Sequence, residues 1–166
     1  MILLFDEVTK VKCKRGGIIP YIKKYGEIYF LMGVDSKTRE LSDFGGGITK
    51  NESILIGAIR EFMEESKEII SPSSLKPVSC AIFDRRNDIC ILFCEISDDS
   101  FFEQAHTLFH SSQIVNIESD EMCDIVWISL PDMIKNVYAQ ESIIWNRIKY
   151  TLANNGDFND QLIAML

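Results

Sequence analysis

Residues 46–68 read GGITKNESILIGAIREFMEESKE, and everything else in the chain is best read outward from them. Gly46 and Gly47, with Gly45 before them, make a stretch of backbone with no side chain to hold a ligand away. Ile54, Leu55, Ala58, Ile59, Phe62 and Met63 then recur at helical spacing through Glu65, with Ser53 or Asn51 placed to cap the helix. On that helix Glu61, Glu64, Glu65 and Glu68 fall at i, i+3, i+4 and i+7, so one face carries a row of carboxylates. Like charges this close repel, and a hard divalent cation among them relieves the repulsion. The competing reading is a solvated acidic helix face.

On the N-terminal side the pattern is that of strands. Residues 8–13, 17–22 and 28–34 are aliphatic and aromatic, and a turn at 25–27 makes a hairpin of the latter two. A short strand over 40–44 runs into the glycines. Beyond Pro72, residues 78–83 and 89–96 read as two further strands joined by the polar residues 84–88. Residues 101–110 suit a helix and 124–130 a strand; Pro131 suits the first turn of a short helix to about residue 138, and residues 141–153 carry another helical pattern. Strands around one central helix, with more helices late in the chain, predict an α/β fold with a mixed sheet covered on both faces. With no repeats and no linker-like segment, residues 1–166 read as a single domain.

The chain has 166 residues, 46% of them apolar, enough to bury a core without disulfides or a structural metal. Seventeen Lys and Arg against 25 Asp and Glu give a formal charge of -8, which argues against duplex nucleic acid as a partner while leaving room for a local basic pocket. The apolar runs are far shorter than the roughly 20 residues that cross a bilayer. No membrane association is expected, and with no secretory pattern at residues 1–7 the expected location is cytoplasmic. Five cysteines without a C-x-x-C pair fit reduced, packed thiols. Asn51-Glu52-Ser53 spells a glycosylation acceptor that has no meaning without secretion.

With these residues in view, the stretch resembles the Nudix box, G-x5-E-x7-R-E-U-x-E-E-x-G-U, where U is aliphatic. Gly46, Glu52, Arg60, Glu61, Glu64 and Glu65 match outright, and Phe62 fills the first U position. Six fixed matches at fixed spacing arise by accident in a chain this long on the order of once in 10⁵. Two positions depart. Lys67 stands where the family usually has the glycine that ends the helix in a left-handed turn, and Glu68 stands where it has an aliphatic residue. Lysine disfavours that conformation, so the helix is expected to run on and stop before Pro72. Residues 121–130 are similar to the family's late strand entering its final helix.

The resemblance implies a Nudix-type α/β/α sandwich and a hydrolase that cleaves a phosphoanhydride in a nucleoside-diphosphate-linked substrate. Water attacks phosphorus with help from Mg²⁺ or Mn²⁺. It also implies that Glu61, Glu64 and Glu65, with the Gly46 carbonyl, hold the metal. Arg60 is assigned to brace the loop through a charge-assisted pair with Glu52. The general base is left open between Glu64 or Glu65 and a later loop glutamate, Glu121 in preference to Glu118. Messenger-RNA cap and diphosphoinositol polyphosphate hydrolysis remain alternatives, as does a non-catalytic nucleotide-binding module, which the changes at Lys67 and Glu68 motivate. The expected partner is a small phosphorylated, nucleotide-derived molecule, and the oligomeric state stays open.

Other features read as ordinary structure. His106 and His110 lie four apart on the expected helix but lack a nearby third ligand, which favours surface placement over metal binding. Lys23-Lys24 and Arg85-Arg86 sit near turns, where solvated basic residues are common. Tyr21, Tyr25, Phe44 and Trp127 are placed to stack on a base or to fill the core, and strand aromatics more often do the latter.

Overall fold

A computed structural model of the chain describes residues 2–112, 121–153 and 164. In chain order its elements are β1 (Ile2–Leu3), α1 (Phe5–Val8), β2 (Arg15–Lys24), β3 (Glu27–Asp35), β4 (Leu41–Ser42), β5 (Phe44–Gly47) and α2 (Ile54–Glu65). A short 3-10 turn, Pro72–Ser74, leads to β6 (Leu75–Asp84), β7 (Ile89–Ile96), α3 (Phe101–Ser111), β8 (Met122–Ser129), α4 (Leu130–Tyr138) and α5 (Asn146–Ala153). The strands form one sheet in the order β1-β6-β7-β2-β3-β4, with β5 pairing along β2 and β8 along β3. β2 and β3 are the expected hairpin, and β2 also runs parallel to β7 from Arg15 beside Ile89 to Tyr21 beside Glu95. That parallel pair makes an otherwise antiparallel sheet mixed.

Neighbouring strand residues point to opposite faces, and both faces are buried. Ile18, Leu31 and Leu92 pack on one side with Phe62 of α2 and Phe109 of α3. Ile19, Phe30 and Phe93 pack on the other with Met133 of α4 and Ile148 of α5. The near-continuous apolar runs within β2, β3 and β7 follow from this, because their central residues are buried on both faces. Each fully buried aliphatic or aromatic side chain contributes about 2 kcal/mol. Hydroxyls set two helix starts. Ser53 Oγ accepts from the Ile56 amide at 3.3 Å, and Ser129 Oγ accepts from the Asp132 amide just after Pro131.

Three local expectations are corrected. Residues 8–13 are not a strand: residues 5–8 form a helical turn in which the Glu7 carboxylate accepts from the Leu4 amide, and β2 begins only at Arg15. The alternation of Val11 and Cys13 between lysines mimics a strand, but strand pairing begins where Arg15 meets Ile89 and Gly47. Residues 141–145 are not helical. Leu41 donates to the Ile143 carbonyl and accepts from the Trp145 amide, so this segment lies beside β4 and α5 starts at Asn146.

The third correction concerns the end of α2. The helix does not run toward Pro72; it stops at Glu65, and Lys67 and Glu68 adopt positive φ of 54° and 55°. The Glu68 amide donates to the Met63 carbonyl at 3.0 Å and the Lys67 amide to the Glu64 carbonyl at 3.3 Å. This is the bond pattern of the glycine-terminated turn, made with lysine. A left-handed lysine costs about 1 kcal/mol. Its Nζ lies 4.4 Å from the centre of the Phe109 ring, and its carbonyl accepts from Ser112 Oγ at 3.2 Å. A cation over an aromatic face contributes a comparable amount, so contacts with α3 offset the strain.

All five cysteines are free, and burial pushes the thiols of Cys80, Cys90 and Cys94 up to about 12, which leaves them protonated and unreactive. No helix among the described residues is long and apolar enough to cross a membrane.

Candidate active site

The site is built where β5 crosses β2. Gly45 lies opposite Gly17 and Gly46 opposite Gly16, so two pairs of residues without side chains bring the backbones into close register. The room they leave is taken by Asp43, which is fully buried, and a Cβ on Gly17 would lie 1.9 Å from its Oδ2. Arg15 closes the arrangement with a two-pronged bond, Nη1 to Asp43 Oδ2 and Nη2 to Asp43 Oδ1, both at 2.8 Å, and Nη2 also donates to the Gly45 carbonyl at 2.8 Å. A buried guanidinium and carboxylate therefore hold the glycine strand rigid behind the helix that carries the glutamates.

On α2 the glutamates separate into distinct environments. Glu65 turns inward, is 8% exposed, and accepts from the Gly45 amide at 2.7 Å. Burial, then the charge of Asp43, pushes its carboxyl up to about 9, against the opposing pull of the Gly45 amide and Arg15. Glu61 lies against Gly46, where an added Cβ would stand 2.3 Å from Glu61 Oε2, so only glycine lets the carboxylate reach the loop backbone. Glu64 is turned toward solvent, 3.7 Å from Arg60.

Arg60 binds the loop and the helix together. Its Nε donates to Glu52 Oε1 at 2.9 Å and its Nη2 to Glu52 Oε2 at 3.1 Å and to the Gly47 carbonyl at 2.9 Å, while Nη1 donates to Glu61 Oε1 at 2.7 Å. Glu52 also accepts from the Thr49 amide at 3.0 Å. The Arg60 hydrogen bond, helped by Thr49, holds the Glu52 carboxyl at about 2, below its ordinary 4.5. A carboxyl held low in the folded state adds stability above its unfolded pKa and loses it as pH falls through the folded value. The melting temperature of the wild type is therefore expected to approach that of Glu52→Gln as pH drops from about 4.5 toward 2. Thermal unfolding of both proteins over that range checks this, and a constant gap between them would refute it.

The oxygen donors of Glu61 and Glu65, flanking the Gly45-Gly46 backbone, suit a hard divalent cation. Glu64 joins them on the helix but not at the same point: among the described residues the three carboxylates do not meet within 4.8 Å of one another. Arg60 draws Glu61 and Glu64 to one side, and the Gly45 amide draws Glu65 to the other.

Beside this floor opens a cavity of about 670 Å³ that includes Gly45 to Gly47, Glu65 and Glu121. Glu121 is exposed, its backbone carbonyl is held by the Ser36 amide at 2.7 Å, and its charge reaches Glu65. Glu118 lies outside the described residues. The walls carry Lys14, Arg15, Lys37 and Arg147 alongside the acidic Asp35, Glu65 and Glu121, so basic groups gather here in a chain of net charge -8. Trp145 stands among them, with the guanidinium of Arg147 5.1 Å and that of Arg15 5.5 Å from its ring.

None of these wall residues was singled out from the sequence, and no spacing marks them. Arg15 and Arg147 meet only because β2 and the first turn of α5 both border the cavity. The aromatics weighed for stacking lie elsewhere: Tyr21 and Phe44 are buried in the core, Tyr25 is exposed in the β2–β3 turn, and Trp127 packs on Phe101 and Phe102. Of the basic pairs, Lys24 bonds to Glu103, and neither pair borders the cavity.

Comparison of the chain with protein-family models and with curated proteins gives no match. Solved structures do match. A C. elegans Ap4A hydrolase, seen as a binary complex, is 18% identical over 88% of this chain and 96% of its own, with a TM-score of 0.55. A second structure of C. elegans Ap4A hydrolase is 16% identical over 89% and 98%, with a TM-score of 0.53. RenU, a Nudix hydrolase from M. smegmatis, is 8% identical over 87% and 84%, with a TM-score of 0.57. At these identities the likeness concerns the backbone, and it runs nearly the full length of each chain: this protein has the fold of the Nudix hydrolases.

Proposed function

We propose that the protein is a divalent-metal-dependent hydrolase that cleaves a phosphoanhydride bond in a small, nucleotide-derived substrate by water attack at phosphorus. The observation that carries this reading is the pairing of Glu61 and Glu65 with the Gly45-Gly46 backbone, where Glu65 and the glycines line a cavity that also holds Lys14, Lys37 and Arg147. Glu61, Glu64 and Glu65 are the residues that would hold Mg²⁺ or Mn²⁺, together with the Gly46 carbonyl. Such an ion neutralises phosphoryl oxygens and stabilises the charge that develops as the P–O bond breaks.

The chain's own residues have separate tasks. Arg60, held by Glu52 and the Gly47 carbonyl, keeps the loop and the helix at fixed spacing, so the carboxylates present one arrangement to the substrate. Arg15, tied to Asp43, does the same from the sheet side. Lys14, Lys37 and Arg147 are placed to neutralise a chain of phosphates, and Trp145 offers a flat face to a ring. Glu121 is the proposed general base, since it borders the cavity, is exposed, and lies near enough to the glutamate helix for its charge to reach Glu65.

The test is a hydrolysis screen with Mg²⁺ or Mn²⁺ against nucleoside triphosphates, dinucleoside polyphosphates, ADP-ribose, capped RNA and diphosphoinositol polyphosphates. Release of a nucleoside monophosphate or phosphate from one of the small nucleotides is the expected result. Preference for capped RNA or an inositol would move the activity to that substrate. Tight nucleotide binding by calorimetry without any product would make the protein a binding module instead.

A further inference from the structure

We propose that His106, His110 and Asp124 form a second metal site, one that takes a zinc-like transition ion and is chemically distinct from the oxygen-rich glutamate site. The two histidines are four residues apart on α3, so they project from one face, the same spacing with which helical histidines hold zinc. The sequence offers no third ligand nearby. The fold supplies one, because Asp124 on β8 comes under that face of α3.

The geometry is specific. Asp124 Oδ1 lies 2.9 Å from His110 Nε2 and 3.3 Å from His106 Nε2, and the three ligand atoms all fall within 4.8 Å of one another. Zinc bonds of about 2.0–2.1 Å in tetrahedral geometry set neighbouring ligand atoms about 3.3 Å apart. The two Asp124–histidine spacings are therefore close to edges of a zinc tetrahedron, and the two imidazole nitrogens lie within 4.8 Å of each other. The imidazole rings stand 4.4 Å apart at 51°, and the His110 ring also packs edge-on against Phe109, which is buried in the core. Asp124 is held in turn by the Ile125 amide donating to its Oδ1 at 2.8 Å. Ligands on a helix and a strand, rather than on loops, keep their spacing.

The donor set decides the ion. Two imidazole nitrogens and one carboxylate oxygen favour zinc, cobalt, nickel or copper over magnesium, whose preference is for oxygen and water. Three protein ligands on a partly exposed surface leave a further position open to water or to another ligand. An ion here ties α3 to β8 and so links the layer that also packs on α2 to an outer strand of the sheet.

The test is Zn²⁺ titration of the full chain in excess Mg²⁺, read by a chromophoric chelator and by the imidazole nitrogen resonances. One equivalent should bind, shift both histidines and raise the melting temperature. His106→Gln and Asp124→Asn, both at exposed or half-exposed positions, should each weaken binding by about tenfold or more. Glu64→Gln should bind Zn²⁺ as the wild type does, so loss of hydrolysis and loss of this site are separate results. Equal zinc affinity in the wild type and both site variants, or no shift at either histidine, would overturn the proposal. Circular dichroism of the variants identifies any loss that comes from unfolding, and in that case the imidazole shifts of the wild type decide.

Discussion

Glu64→Gln is expected to lower kcat by about 10²-fold or more while the protein melts within a few degrees of the wild type. The two halves of that expectation have separate physical grounds. In the fold Glu64 is 44% exposed and lies 3.7 Å from Arg60, an exposed ion pair that contributes little to stability. In the proposed reaction it supplies one of the negative charges that keep a divalent ion beside the scissile bond, and a neutral amide of the same shape does not. Glu65→Gln is a less informative variant, because Glu65 also accepts from the Gly45 amide and is buried, so activity and folding would change together. Steady-state rates with the best substrate of the screen, paired with thermal unfolding, make the measurement. A Glu64→Gln protein with near-normal turnover would remove this residue from the metal-holding set.

Gly45→Ala is expected to cost about 3 kcal/mol or more, a drop of roughly 6–12 °C in melting temperature for a chain of this size. A Cβ at Gly45 would lie 2.4 Å from the Cα of Gly17 and 2.6 Å from the carbonyl oxygen of Gly16, and backbone atoms in a paired strand cannot rotate away as a side chain can. Relief requires β5 to separate from β2, which pulls on the Arg15–Asp43 bonds and on the amide that Glu65 accepts from. Gly47→Ala is the matched control. It lies two residues on in the same strand, an added Cβ there meets nothing within 4 Å, and its expected effect is within about 0.5 kcal/mol. Equal stability of the two variants would mean that β5 and β2 are not packed as closely as described.

What could be read from residues 46–68 alone was the helix, its Ser53 cap and the carboxylates Glu61, Glu64 and Glu65 on it, because these depend on neighbours along the chain, while Glu68, expected on the same helix, lies beyond its end. The charged pairing of Arg60 with Glu52 was legible for the same reason, both residues lying within one loop-helix unit. Strand positions were legible wherever apolar runs were buried on both faces. Local pattern failed where a distant partner took over the backbone: Leu41 draws residues 143–145 out of the helix their periodicity suggests, and the contacts of α3 let Lys67 occupy a turn that its side chain resists.

The amino-acid sequence thus determined that a glutamate-bearing helix follows a run of glycines, since that information lies in residues three and four apart. Only the tertiary structure decided what surrounds the helix. Arg15, Trp145 and Arg147 reach one cavity, and Asp124 reaches His106 and His110, through strand pairings and packing that join residues up to 130 apart or more, and no short-range spacing encodes such meetings.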